Sequence, residues 1–129
     1  MKKILFFLFL SLSAFLNANE KNNKLVDLLH SFGNNGEYAQ MDSVYNLIIH
    51  EDHYKQDKLY ALNITLDYAR FLNQKGDSER ANTLLTQIRE SAIALEKFPE
   101  NTMAHQLQEI AAIATYEIAY GQWQNNQLP

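Results

Sequence analysis

Apolar residues recur at intervals of three and four along almost the whole chain, and no stretch keeps the strict alternation of a half-buried strand. The pattern predicts about five helices. A first, over 24–32, sets Leu25, Leu28, Leu29 and Phe32 on one side and stops at the turn signal Gly33-Asn34-Asn35-Gly36. A second, over 37–50, carries Met41, Val44, Tyr45 and Ile48 on one stripe. The polar run 51–57 breaks the pattern, and Asp57 is placed to cap a third helix over 58–75. That helix is apolar on two sides, with Leu59, Leu62, Leu66 and Ala69 on one and Tyr60, Ile64, Tyr68, Phe71 and Leu72 on the other, which predicts packing on both. Gly76 ends it as a left-handed cap, and Asp77 or Ser78 opens a fourth helix reaching about 98. There a single stripe, Ala81, Leu84, Leu85, Ile88, Ala92 and Leu95, opposes a polar outer face. Pro99 forbids continuation, and Asn101 or Thr102 caps a fifth helix over 103–122. Its centre, 110–114, is apolar all round and is predicted to be deeply buried, with the chain fraying beyond Trp123. The fold class is all-α, with the helices in stacked antiparallel hairpins; the same stripes also allow an irregular helical bundle.

The first eighteen residues follow a different plan. Lys2 and Lys3 precede an apolar run from Ile4 through Leu10 to Leu16, the build of a secretory signal. The run is about 13 residues, whereas a helix needs about 20 to cross the hydrocarbon core. Residues 1–18 are therefore read as a signal peptide cleaved after Ala18, with Ala14 as the alternative, and 19–129 as one helical domain without stable membrane insertion. A short signal with two lysines suggests a bacterium, so the expected compartment is the periplasm or the medium.

Composition narrows the function. The chain has 15 acidic against 11 basic side chains, a net charge of −4, and loss of residues 1–18 removes Lys2 and Lys3 and no acid. Scattered lysines and arginines on an acidic chain argue against nucleic acid as partner. With no Cys there is neither a disulfide nor a thiol nucleophile, no Ser stands in a Gly-flanked elbow, and no Gly-rich loop cradles a phosphate. No catalytic residue, cofactor or metal is assigned, and the chain is expected not to be an enzyme. The cluster His50-Glu51-Asp52-His53 has its imidazoles three apart, and Tyr54 occupies the position where a zincin places its second His. The tyrosines fall mostly at stripe positions, as core rings whose hydroxyls reach the surface; Tyr60 and Tyr120 are the candidates for a recognition surface.

The segment Leu66-Asp67-Tyr68-Ala69-Arg70-Phe71-Leu72-Asn73-Gln74-Lys75-Gly76-Asp77-Ser78-Glu79-Arg80-Ala81-Asn82-Thr83-Leu84-Leu85 resembles a tetratricopeptide repeat. Ala69 stands where that family takes a small residue for close helix approach, Gly76 where the chain reverses, and Ala81 where the second helix crosses the first. Leu29, Gly36, Met41, Tyr45 and Ile48 form a weaker copy. The resemblance implies that the third helix lines a concave groove through Asn63, Leu66, Arg70, Asn73 and Gln74, where Asn and Arg would grip backbone amides and a carboxylate. The expected function is an exported adaptor that binds a protein or peptide in that groove. The alternative is a small acidic inhibitor or immunity protein of a secreted toxin or hydrolase, acting through loop acids such as Glu51, Asp52 and Asp57.

Overall fold

The computed structural model describes residues 18–97 and 102–127, with side chains over 24–97 and 102–126. The protein is all-α. Its helices are α1 (Ala18–Asn34), α2 (Tyr38–Ile49), α3 (Asp52–Gln56), α4 (Lys58–Lys75), α5 (Ser78–Glu96) and α6 (Ala104–Gln127), with no strand among the described residues. The expected signal peptide lies outside the described residues except for Ala18, which opens α1; the break at Pro99 and the cap at Asn101 lie outside them too.

Two tight turns repeat one device. At the end of α1 the Gly36 N–H bonds the Gly33 carbonyl and the Glu37 N–H bonds the Phe32 carbonyl; at the end of α4, Gly76 bonds Asn73 and Asp77 bonds Leu72 in the same pattern. Gly36 and Gly76 take φ of 73° and 95°, the left-handed conformation this closure demands. Asp57 and Asp77 then cap α4 and α5, accepting from the Tyr60 and Arg80 N–H groups.

Three boundaries differ from expectation. The run 51–57 carries the one-turn helix α3, and α1 starts at Ala18 rather than at 24. Helix α6 continues to Gln127 instead of fraying after Trp123; Gln124 turns back one helical turn and donates to the Tyr120 hydroxyl. Nor is 110–114 buried all round. Ile110 and Ala114 are buried, but Ala112 is exposed, because α6 packs chiefly against α5 and α4.

Helix α4 contacts each of the other five, as its two apolar sides require. Leu62, Leu66, Tyr68, Ala69 and Leu72 bury there with Leu25 and Leu29 of α1, Met41, Val44 and Ile48 of α2, Leu85 and Ile88 of α5, and Leu107 and Ile110 of α6. Burial of each such aliphatic side chain stabilises by about 1.5–3 kcal/mol. Two glycines let helices approach α4 closely. A Cβ on Gly33 would stand 2.6 Å from the Phe71 ring, and one on Gly121 would stand 2.9 Å from Asn73 Oδ1. No described helix is long and apolar enough to cross a membrane.

Candidate binding cleft

Helices α1, α4 and α6 bound an open cleft of about 540 Å³. From α1 come His30 and Asn34; from α4, Asp67, Arg70, Phe71 and Gln74; from α6, Glu117, Tyr120 and Gln124. The four α4 residues recur at three- and four-residue steps and so share one helical face.

Polar groups in the cleft hold one another. Glu117, buried to 7% exposure, accepts from Arg70 Nε at 3.2 Å and from Asn73 Nδ2 at 3.2 Å. Because Arg70 bonds through Nε and its side chain is half exposed, the outer end of the guanidinium faces the solvent side of the cleft. Across from it, His30 Nε2 donates to Asp67 Oδ2 at 2.8 Å. Gln74 donates to the Gly33 carbonyl and the Tyr38 hydroxyl. The aromatic surfaces are Phe71, seated over Gly33, and Tyr120. The cleft thus brings together paired charges, side-chain amides and two rings.

The six residues singled out from the sequence are divided by the fold. Arg70 and Gln74 line the cleft. Leu66, expected in the groove, is 4% exposed and belongs to the core, and Asn73, expected at the surface, is 1% exposed and joins α4 to α6. Both sit about 100° around the helix from the lining face, a shift of one residue in register. Asn63 and Tyr60 lie on the lining face but toward the N-terminal end of α4, beyond the cleft. Asn63 bonds its own helix at the Leu59 carbonyl, and Tyr60 packs edge-on against His53 with ring centroids 4.0 Å apart. Burial, then the negative charges of Glu51 and Asp57, raise the Tyr60 phenol above its usual range.

Sequence reading missed His30, Asp67, Phe71 and Glu117. The available signal was the position of Glu117: it stands at seven-, three- and four-residue steps from Ile110, Ala114 and Gly121, the buried side of α6, where a carboxylate needs a partner, and Arg70 is the base that meets it. Tyr120, one of the two tyrosines nominated, does line the cleft.

A second polar network lies among α2, α3, α4 and α5. Tyr45 and Tyr68 stack with centroids 3.8 Å apart and planes within 6°. The Tyr68 hydroxyl donates to Asp42 at 2.6 Å and accepts from Arg80 Nη2 at 2.7 Å. Burial first, then the hydrogen bond and charge of Asp42, push the Tyr68 phenol up to about 12 against the opposing pull of Arg80. Burial likewise raises Tyr45, and the Tyr54 hydroxyl bonds Thr65 Oγ1 at 2.8 Å. Tyr68 belongs to the core, Tyr45 and Tyr54 pack against it, and all three hydroxyls are hydrogen-bonded. In the His50 cluster, His50 Nδ1 donates to the Asn46 carbonyl and His53 packs on Tyr60; among the described residues no group of three His, Cys, Asp or Glu could hold a metal ion. Asp57, named for the acidic-loop alternative, is engaged as the α4 cap.

No protein-family model, no curated protein and no solved structure matches this chain.

Proposed function

We propose that the chain is an exported, tetratricopeptide-like adaptor that holds a peptide segment or partner protein in the cleft of α1, α4 and α6. The observation that carries this reading is the cleft itself: three helices contribute charges, amides and rings, and His30, Asp67, Arg70, Gln74 and Glu117 are already held by internal bonds, which reduces the side-chain ordering left for a ligand to impose. The repeat reading draws support from the matched turns at Gly36 and Gly76 and from the full burial of Leu29 with Met41 and Ala69 with Ala81, although their 40-residue offset is longer than that family's repeat of about 34. Export to the periplasm or medium rests on the charge and apolar plan of residues 1–18.

The test is affinity capture from native periplasmic extract, followed by calorimetric titration of the retained partner. Arg70→Ala and Gln74→Ala should each weaken binding about tenfold, whereas Asn63→Ala, beyond the cleft, should leave it unchanged. Binding lost instead on Glu51→Ala and Asp52→Ala, with steep salt dependence, would overturn the adaptor reading in favour of an acidic inhibitor. Amino-terminal sequencing of the captured protein checks export, with Asn19 as the expected first residue.

A further inference from the structure

We propose that the outward face of α6 docks a second copy of this chain, the two α6 helices lying antiparallel about a two-fold axis near Tyr116. Three large rings are exposed there, Tyr116 at 66%, Tyr120, which also lines the cleft, at 38%, and Trp123 at 57%. They form a ladder: Tyr116 and Tyr120 have centroids 6.4 Å apart with planes 12° off parallel, and Tyr120 and Trp123 are 6.1 Å apart and 26° off. The exposed small residues Ala112 and Ala119 lie among them on the same face. Preformed aromatics interleaved with small side chains are the composition of an interface centre.

Charge narrows the choice of occupant. The chain is acidic, so two copies repel wherever their charges meet. Helix α6 has no Lys or Arg in 24 residues and only two acids, of which Glu117 is buried against Arg70 and Asn73. The face is therefore neutral apart from Glu109, with His105, at its N-terminal end. A basic partner would need several acids around the rings, where α6 has only Glu109, and a lipid surface would need flanking Lys or Arg, which α6 lacks. A second identical face needs no charge at all.

Glu109 also sets the orientation. Parallel pairing would oppose the two Glu109 carboxylates, whereas antiparallel pairing about Tyr116 holds them 14 helical positions apart, about 21 Å and beyond the screening length. In that register Tyr120 falls opposite Ala112 of the second copy, large against small. Trp123 falls opposite Glu109 of the second copy, within reach for the indole N–H to donate to its carboxylate. The contact is isologous and closed, giving a dimer and no fibre.

Trp123 is the sole tryptophan, so its emission reports on this face alone. The experiment follows sedimentation equilibrium and Trp123 emission of the untagged protein, expressed from its whole coding sequence, from about 1 to 100 μM, a range that brackets a micromolar dissociation constant. A monomer–dimer equilibrium with a blue shift that grows with concentration is expected. Tyr116→Ala and Ala119→Glu should each weaken it about tenfold or more, and Ile93→Ala, an exposed apolar position on α5, should not. Tyr116 is two-thirds exposed, so circular dichroism should show its variant folded. A monomer throughout the range, or a dimer indifferent to both α6 variants, would overturn the proposal. So would a blue shift that appears only with phospholipid vesicles or with another captured protein.

Discussion

The Asn73 side chain donates from one nitrogen to both the backbone carbonyl of Glu117, at 3.0 Å, and its carboxylate, at 3.2 Å. One buried amide thus sets both the height and the rotation of α6 against α4, and with them the position of the carboxylate that holds Arg70 in the cleft. A long side chain at 73 would break this joint, and so would any side chain at Gly121, whose Cβ would press on Asn73 Oδ1.

Glu117→Ala should cost about 1–3 kcal/mol in urea unfolding, because Asn73 loses a buried acceptor and Arg70 its partner. Arg70→Ala should cost less than about 1 kcal/mol, its side chain being half exposed. A double-mutant cycle should show the two effects to be non-additive, and strict additivity would mean that the pair is not coupled.

Gly33→Ala and Gly76→Ala should fail for different reasons. At Gly33 the new methyl meets the Phe71 ring, so a destabilisation of about 1–3 kcal/mol should be partly recovered in the Gly33→Ala/Phe71→Ala double variant, which makes room. At Gly76 nothing lies within 4 Å, and the cost of about 1 kcal/mol comes from a φ of 95°. No neighbouring deletion should recover it, and Gly76→Asn should be milder than Gly76→Val. Denaturant midpoints of these variants decide the matter.

Alkaline pH should loosen the fold through Tyr68. The unfolded phenol ionises near 10.0 and the folded one near about 12, so its contribution is complete below pH 10 and is lost as pH rises from 10 to 12. Thermal melts across that window should fall in Tm. Tyr68→Phe should make the fall shallower without abolishing it, since Tyr45 and Tyr60 are raised in the same direction. A phenolate absorbance titration should show late-ionising tyrosines, one fewer in the variant.

The tyrosine network should also respond to Arg80. Arg80→Ala removes the donor to Tyr68 and leaves Asp42 still accepting from that hydroxyl. A loss of about 1 kcal/mol is expected, together with a Tyr68 phenol that ionises later still, since Arg80 is the group that favours its charged form. Earlier ionisation in the same titration would contradict the arrangement.

Local signals determined the helices. Spacing of Leu25 and Leu29, the glycines at 36 and 76, the acids at 57 and 77, and the two-sided apolar pattern of α4 all act within one or two turns, and each is found as read. The short helix α3 escaped because one tyrosine among four polar residues carries no periodicity. The cleft was legible only in part. Arg70, Gln74 and Tyr120 line the cleft, whereas Leu66 and Asn73 are buried, because a helix packed on two sides offers two polar seams and the sequence does not say which one a distant helix will cover. That choice belongs to α6, 44 positions away, whose Glu117 draws Asn73 inward and leaves Asp67, Arg70 and Phe71 to line the opening. Hydrophobic period and turn chemistry are properties of neighbours along the chain, whereas the identity of a buried polar partner is decided only when remote segments exclude water together.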